Sequence, residues 1–426
     1  MSVRQAGASR ARRPIRALAR AIRPLAACAA GAGRAARAGR ASGASLAACA
    51  ALAALALAGA LAAAAELPSD VTQGLPTARL ATPPSPHWVW VNDLNFPSMV
   101  DGRAHLVDGD TGRYLGALST GFSFSRLVPA HNGRLLYSPE TYFSRGTRGI
   151  RTDVVTVYDA ATLDVVGEIG IPPKRSSNVP KLGNAALTDD DRFLLVYNFN
   201  PGQSVTVVDT SRRTFAAEVG TPGCALVYPT GPRSFFSVCG DGSLLLVELD
   251  ARGAAAHQER TQPLLEMAHD PVTETAVRRG DTWYFVTMDG QVLPVQAEGR
   301  TATAGAGWWL TSAAERQEGW RPGGVQQVAL HAGHNHLYAI MHQGSRDTHK
   351  DPGKEIWVYD LGSQQRVGRI ALRAPATSIQ TSTDARPLLF SAFADASDLD
   401  VYDAVSGQLL RTVEHVATTP TVLVTP

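Results

Sequence analysis

Val401-Tyr402-Asp403-Ala404-Val405-Ser406-Gly407 contains the element that decides the fold of this 426-residue chain. A short strand of β-branched and aromatic residues ends in aspartate, and a turn of small and polar residues follows, as in a β-hairpin. The element recurs weakly at Leu249-Asp250. The clear earlier copies are Leu106-Val107-Asp108, Val157-Tyr158-Asp159, Val207-Val208-Asp209 and Val358-Tyr359-Asp360.

The spacing of these copies gives the number of repeats. The aspartates lie 51, 50, 41, 110 and 43 residues apart. The longest interval corresponds to two units, with a degenerate copy near Val292–Arg300, so the element occurs seven times. A second run of aromatic and aliphatic residues also occurs seven times, in phase with the first. Its copies are His87–Val91, Arg134–Ser138, Arg192–Tyr197, Ser234–Val238, Thr282–Thr287, His336–Met341 and Pro387–Phe390.

A repeat of about 40–55 residues made of short strands and tight turns is typical of a propeller blade. Blades bury their faces against their neighbours, and a closed ring leaves no long sheet edge exposed. The sequence therefore predicts an all-β, seven-bladed β-propeller over residues 87–426, preceded by an N-terminal arm over residues 66–86. Two β-sandwich domains are the alternative, but they would not require one period throughout. Ser312–Gly319 departs from the strand pattern and predicts a short helical insertion.

The first 65 residues differ from the rest in composition. They contain ten arginines and no Asp, Glu or Lys, and Ala63-Ala64-Ala65 ends an apolar stretch just before Glu66. This order predicts a cleaved export signal over residues 1–65 and a periplasmic protein, with a retained membrane anchor as the alternative. Without those arginines, 30 Lys and Arg of the original 40 remain against 38 Asp and Glu, a net charge of −8. A basic nucleic-acid-binding protein is therefore not supported.

Two of the four cysteines remain after removal of the leader, Cys224 and Cys239. Two cysteines in an exported protein most often form one disulfide. Metal binding by this pair is not favoured, because no other cysteine can complete a tetrahedral site.

A search for catalytic motifs finds no nucleophile elbow, phosphate-binding loop or dinucleotide fingerprint. The recurrent aspartates fall at turns, where aspartate is favoured by its own hydrogen bonds to the backbone. The sequence therefore predicts no catalytic, cofactor-binding or metal-binding residue in this chain. His331, His334, His336 and His342 suggest a metal site, but His334-Asn335-His336 falls at an expected hairpin turn, which favours exposed turn residues.

Two loops have an unusual composition. Tyr142–Asp153 contains three arginines between glycines, and it is either a docking loop for an acidic partner or a solvated loop. Gly319–Gln327 places a tryptophan before Pro-Gly-Gly, which favours a packing corner between blades over direct ligand contact.

These segments resemble the large, or heavy, subunit of the amine dehydrogenases that use tryptophan tryptophylquinone. The likeness extends from about His87 to the C-terminus. Its most specific segments are Ser144–Gly149 with Thr152–Val155, the pair Cys224 and Cys239, and Trp320–Gly324. Four further segments are more similar to the aromatic-amine branch than to the methylamine branch: Ile171–Arg175, Cys239–Gly242, Thr348–Lys350 and Glu355–Val358.

The resemblance implies a seven-bladed propeller that pairs with a small, Cys-rich subunit as a two-plus-two heterotetramer. It places the tryptophan tryptophylquinone and the catalytic base in that small subunit, which makes this chain a non-catalytic scaffold. Such an enzyme deaminates primary amines to aldehyde and ammonia and passes electrons to a blue copper protein. The resemblance also implies a Cys224–Cys239 disulfide and a substrate-channel residue early in the first blade, with Phe96, Pro97 and Met99 as candidates.

The competing hypothesis is a stand-alone periplasmic propeller, either a binding protein or a lactonase-like hydrolase, because propellers host many functions. A hydrolase of that type would place carboxylates or histidines around its central channel to hold a metal.

Overall fold

A computed structural model describes residues 78–122, 126–176 and 180–426. The export signal predicted over residues 1–65 lies outside the described residues, as do residues 66–77 of the predicted arm. Within the described ranges, no helix is both long and apolar enough to cross a membrane.

The described residues form seven antiparallel sheets, which are the seven blades of a β-propeller. The prediction of an all-β, seven-bladed propeller is confirmed. The strands of each blade are given from the first strand outward.

Blade 1 consists of β30 (Pro420–Val424), β1 (Trp88–Asp93), β2 (Arg103–Asp108) and β3 (Tyr114–Ser119). Blade 2 consists of β4 (Val128–Pro129), β5 (Leu135–Phe143), β6 (Arg151–Asp159) and β7 (Val165–Ile171). Blade 3 consists of β8 (Ala185–Leu187), β9 (Phe193–Asn198), β10 (Ser204–Asp209) and β11 (Thr214–Gly220), and blade 4 consists of β12 (Cys224–Gly231), β13 (Ser234–Cys239), β14 (Leu244–Leu249) and β15 (Ala255–Arg260).

Blades 5 and 6 each carry one additional short strand. Blade 5 consists of β16 (Val272–Arg279), β17 (Thr282–Thr287), β18 (Gln291–Glu298) and β19 (Thr301–Ala304), with β20 (Trp308–Trp309) also paired to β18. Blade 6 consists of β21 (Trp320–Pro322) and β22 (Val328–His331), both paired to β23 (His336–Gln343), followed by β24 (Gly353–Asp360) and β25 (Gln365–Ala376). Blade 7 consists of β26 (Ser378–Thr381), β27 (Leu388–Ala392), β28 (Leu399–Asp403) and β29 (Leu409–Val413).

The two repeated elements of the sequence are neighbouring strands. The aspartate-terminated runs form the third strand of each blade, and the second set of runs forms the second strand. Strand β9 is buried at all six positions, because both faces of a blade pack against adjacent blades. Burial on both faces produces continuous apolar runs instead of alternation.

The recurrent aspartate closes the turn between the third and fourth strands. Asp403 Oδ1 accepts hydrogen bonds from the N–H groups of Val405 at 3.0 Å and Ser406 at 2.7 Å. The same pair of hydrogen bonds occurs at Asp159, and Asp360 Oδ1 accepts from the N–H of Ser363. The carboxylate satisfies turn N–H groups that have no strand partner, which explains why this residue marks every clear copy of the repeat.

The C-terminal strand closes the ring. Strand β30 is the first strand of blade 1 and pairs with β1, which begins the propeller. Asn92 Nδ2 donates to the carbonyl of Val422 at 2.9 Å, and the N–H groups of Thr418 and Thr419 each donate to Asp93 at 2.8 Å. Side chains of β1 thus hold both the last strand and the crossover that leads to it.

Two short segments lie outside the strand framework. The described end of the arm, residues 78–86, contacts blade 2, where the Leu80 N–H donates to the carbonyl of Ala161 at 2.8 Å. The insertion predicted at residues 312–319 contains α1 (Ala313–Gln317). Its start is fixed by a capping box, in which Ser312 and Glu315 each accept the other's backbone N–H.

Candidate partner-binding face and substrate entrance

The antiparallel order of the strands determines which loops share an end of the blades. The loop between the second and third strands lies at the same end as the crossover to the next blade. We call this end the crossover face, and the opposite end, which carries the aspartate turns, the hairpin face. Six segments that the sequence singled out lie at the crossover face: Phe96–Met99, Ser144–Gly149, Ile171–Arg175, Cys239–Gly242, Trp320–Gly324 and Thr348–Lys350.

Phe96 begins a short 3-10 turn, Phe96–Ser98, between β1 and β2. The turn is held at its base, because the N–H of Asn95 donates to Asp93 Oδ1 at 2.7 Å and the N–H of Phe96 donates to Thr419 Oγ1 at 3.1 Å. The Phe96 side chain is 67% exposed, whereas Met99 is partly buried. The structure places all three candidate channel residues, Phe96, Pro97 and Met99, at the crossover face. Their contact with a substrate stays a prediction.

A cleft of about 560 Å³ lies beside this turn, at the junction of blades 7 and 1. Asp93 and His105 form part of its wall, with 3.4 Å between Oδ2 and Nε2. Burial opposes ionisation of Asp93, but hydrogen bonds from His105 and from the N–H groups of Thr418, Thr419 and Asn95 outweigh it and lower the pKa to about 2. Asp93 is therefore an ionised structural anchor of the ring closure.

Asp93 gives the closure a defined pH dependence. Its pKa lies below the ordinary 3.8, so its contribution is present above about pH 4 and lost as pH falls towards 2. We expect Asp93→Asn to lower the free energy of unfolding by about 2 kcal/mol at pH 7 and by little at pH 2. Urea unfolding at both pH values measures this. Asp101→Asn, at a half-exposed carboxylate, is the control, and a difference from wild type that did not shrink in acid would contradict the assignment.

The arginine loop, Ser144–Ile150, connects β5 and β6 at the crossover face. It closes on itself, since the N–H of Ser144 donates to the carbonyl of Ile150 and the N–H of Arg145 donates to the carbonyl of Arg148, both at 3.0 Å. With respect to the described residues, neither Arg145 nor Arg148 forms an ion pair. Ile150 beside them is 77% exposed. The loop thus presents two cations and an apolar side chain outward.

A buried ionic network lies beneath the arginine loop, centred on Asp153. Thr141 Oγ1 donates to Asp153 at 2.8 Å, Arg151 donates through Nε at 2.8 Å and Nη2 at 2.7 Å, and the N–H of Arg175 donates at 3.1 Å. Burial lowers the pKa of Arg175 to about 10, against the opposing effect of Asp153, so this guanidinium stays cationic at neutral pH. Two separate sequence motifs therefore meet in one network that supports the loop.

Glu140 is a second buried carboxyl of blade 2, and sequence reasoning did not single it out. Thr156 Oγ1 and Tyr142 OH each donate to Oε2 at 2.6 Å, and Tyr158 OH lies 3.3 Å from Oε1. Burial raises the pKa of Glu140 although these hydrogen bonds lower it. Hydrogen bonds from Tyr142 on β5 and from Thr156 and Tyr158 on β6 satisfy the carboxyl oxygens of Glu140. Glu140 therefore links these two strands, which is a structural role. The available sequence signal was an acidic residue in the middle of a strand-forming segment, Leu135–Phe143.

Cys224 and Cys239 are joined by a disulfide in blade 4. They are directly opposed in the pairing of β12 with β13, and both are buried. The bond fixes the end of these two strands at the crossover face, in the segment that the resemblance singled out.

The Trp320–Gly324 segment is a packing corner, as the sequence favoured. The Trp320 ring lies 5.0 Å from that of Trp357, and Arg369 lies over both rings. A side chain at Gly324, where φ is 103°, would place Cβ 2.5 Å from the carbonyl oxygen of Thr377 in the next blade. Glycine is required here by the close approach of two blades.

Three of the four histidines are neighbours, since the His334 ring lies 4.5 Å from the His331 ring and 6.0 Å from the His336 ring, and His342 lies apart from them. His334 and His336 are half-buried at the turn between β22 and β23, less exposed than the sequence predicted, and His331 is buried with Nε2 2.8 Å from the carbonyl of Asp384. His342 lies at the other end of β23, 2.8 Å from Thr348 Oγ1. Across residues 78–122, 126–176 and 180–426, no group of three or more His, Cys, Asp or Glu side chains has a geometry that could hold a metal ion.

The family model of the methylamine dehydrogenase heavy chain matches residues 86–426. The chain belongs to the methylamine dehydrogenase heavy chain family. The heavy chain of Paracoccus versutus is 31% identical over 351 residues, covering 81% of this chain and 80% of the relative. That of Methylorubrum extorquens is 29% identical over 382 residues, covering 87% and 90%. In fold alone, the chain is similar to a protein of unknown function from Desulfotomaculum acetoxidans, with a TM-score of 0.55 at 12% identity over 80% of this chain and 98% of that one.

Membership of the methylamine dehydrogenase heavy chain family supports the assignment of this chain as the heavy subunit of an amine dehydrogenase. The resemblance stated from the sequence is confirmed. The matched region covers all seven blades. Identities of 29–31% with the heavy chains above do not separate the branches of the family. The similarity of four segments to the aromatic-amine branch therefore stays a prediction.

Proposed function

We propose that this chain is the non-catalytic scaffold of a periplasmic amine dehydrogenase and binds a small, Cys-rich, quinone-bearing subunit in a two-plus-two heterotetramer. The complex would deaminate primary amines to aldehyde and ammonia and pass the electrons to a blue copper protein. The tryptophan tryptophylquinone of the partner would supply the redox chemistry. The residues of this chain would hold that partner and shape the approach to it.

The observation that carries the proposal is the apolar surface of the crossover face in blades 1 to 3. Large apolar side chains that are exposed on one face of a soluble protein supply contact area for a partner. Here they lie in the loops between second and third strands or at the strand ends beside them, and they are at least 41% exposed: Phe96, Val100, Tyr142, Ile150 and Phe199.

The charge of this surface favours an acidic partner. Arg145 and Arg148 project beside Ile150 without ion pairs among the described residues. Charge complementarity at an interface mainly fixes orientation and speeds association, while the apolar contacts supply most of the affinity. The Asp153 network beneath keeps the loop in place before the partner binds.

The substrate entrance is proposed at the Phe96 turn. An aromatic ring on an anchored turn limits the width of a passage by its shape, because the turn does not yield. Met99, with three rotatable bonds, adapts to different substrates more readily. This arrangement suits a wall of a channel whose reactive group lies in the partner.

The test is purification of the tagged chain from its native periplasm, followed by a visible spectrum with and without added amines. A small, Cys-rich partner and a quinone band bleached by amines would support the proposal, and the amine that bleaches best would identify the branch. A colourless protein without a partner would overturn it.

We expect Arg145→Glu with Arg148→Glu to reduce the co-purified partner to about a tenth or less, because reversed charges repel an acidic surface during docking. The ratio of the two subunits on a gel measures this. Arg134→Glu with Arg386→Glu makes the same change of charge at exposed positions of the hairpin face and is expected to leave the ratio unchanged. Equal losses in both double variants would exclude the arginine loop as the docking site.

A further inference from the structure

The Phe96 turn is held by hydrogen bonds and not by packing. None of its three residues, Phe96–Ser98, is buried. The N–H of Ser98 closes the turn by donating to the carbonyl of Asn95 at 2.7 Å. Asn95 itself has a left-handed backbone, with φ at 47°, and its Nδ2 donates to the carbonyl of Asp101 at 2.8 Å. The position of the Phe96 ring therefore depends on a few bonds at the base of the turn.

The bonds at the base come from a distant segment, the crossover between β29 and β30. Thr419 Oγ1 accepts the N–H of Phe96 at 3.1 Å, and the carbonyl of Thr419 accepts the N–H of Leu94 at 3.0 Å. Asp93 joins the two segments again, since its Oδ1 accepts the N–H groups of Asn95 at 2.7 Å and Thr419 at 2.8 Å. Of these bonds, the one to the Thr419 hydroxyl is the one that reaches Phe96 itself.

The cleft of about 560 Å³ beside the turn gives it room to move. Asn95 lines this cleft together with residues 415–418 of the same crossover. A turn released from Thr419 can shift into that space, because no buried side chain of the turn holds it back. A hydrogen bond of ordinary net strength changes an equilibrium between two positions by about fivefold. Loss of one acceptor is therefore enough to move the Phe96 ring away from its place.

We propose that Thr419 is a positioning residue for amine selectivity, whose hydroxyl holds Phe96 at the substrate entrance. While the bond is intact, the ring limits the width of the passage and favours small amines over bulky ones. The inference rests on the proposed function, since the passage leads to a quinone in the partner. Thr419 and Phe96 are 323 residues apart in the chain, so the closure of the ring sets the geometry of the entrance.

The test compares 2-phenylethylamine with methylamine as substrates of the purified complex. Thr419→Val removes the acceptor but keeps the shape and the backbone bonds of Thr419, and it is expected to raise the ratio of the two kcat/KM values about fivefold. Thr419→Ser keeps the hydroxyl and is expected to retain the wild-type ratio. Thr418→Val makes the same exchange at an exposed neighbour whose N–H, and not its hydroxyl, bonds to Asp93, and is expected to leave the ratio unchanged.

Further variants separate positioning from a general loss of structure. If Thr419→Val fails to assemble, Thr419→Ala removes the same acceptor and is expected to raise the ratio in the same direction. In a Phe96→Ala background, Thr419→Val is expected to have no further effect, because the ring that it positions is absent.

The outcomes distinguish this inference from the proposed function. A wild-type ratio in Thr419→Val and Thr419→Ala, or an equal rise in Thr418→Val, would overturn the role of Thr419 while the complex still oxidised amines. A wild-type complex that oxidised neither amine would overturn the proposed function, and this inference with it.

Discussion

Replacement of Asp153 by alanine is expected to destabilise the propeller by about 3–5 kcal/mol, because it removes the carboxylate that two buried or half-buried arginines share. Arg151 would lose both of its hydrogen bonds to that carboxylate, and the Arg175 N–H would lose its acceptor. A buried cation without its partner carries the full cost of desolvation, whereas a buried pair is close to neutral in its net contribution.

Denaturant unfolding, with the midpoint and slope compared with wild type, measures this effect. Asp153→Asn keeps the shape and one acceptor oxygen, so it should fall between the alanine variant and the wild type. Asp164→Ala, at an exposed position of the same blade, is expected to change stability by less than about 0.5 kcal/mol. A midpoint for Asp153→Ala equal to that of the control would show that the network does not stabilise blade 2.

Loss of the disulfide in blade 4 is the second large effect that we expect. Cys224→Ala with Cys239→Ala should lower the free energy of unfolding by about 3 kcal/mol, since the open loop of this length regains conformational entropy in the unfolded chain. Urea unfolding measures the change. Dithiothreitol should shift the wild type by a similar amount and leave the double variant where it is.

That comparison also separates the cross-link from the packing. Both cysteines are buried, so alanine would remove sulfur atoms as well as the bond, whereas reduction would remove the bond alone. If the reduced wild type remained as stable as the oxidised protein, the covalent link would contribute nothing and any loss in the double variant would come from packing.

These stability effects need to be distinguished from effects on assembly. Asp153 lies directly beneath the arginine loop, so a change there would weaken docking by moving the loop. Charge reversal at Arg145 and Arg148, which are exposed, would weaken docking without changing the stability of the isolated chain. If charge reversal at Arg145 and Arg148 weakened docking while the stability of the isolated chain stayed unchanged, the crossover face would be an interface. If docking fell only in variants that also lost stability, such as those at Asp153, the effect on docking would come from stability alone.

The sequence by itself determined the repeat, the number of blades and the family. Second and third strands are recognisable because they are buried on both faces, and the third strands are followed by aspartate turns whose hydrogen bonds are local. First strands gave no comparable repeated signal, because their length varies from 2 residues in β4 and 3 in β8 to 8 in β12 and β16. Closure of blade 1 by β30 depends on a pairing between opposite ends of the chain, which no local pattern encodes.

The tertiary structure alone decided which charged residues meet. Asp93 with Thr418, and Asp153 with Arg175, are neighbours in space through contacts between strands and crossovers. In the sequence each of these is an ordinary polar residue in or near a strand. The physical reason is that local propensity and periodicity depend on near neighbours, whereas desolvation and ion pairing depend on every element packed around a group.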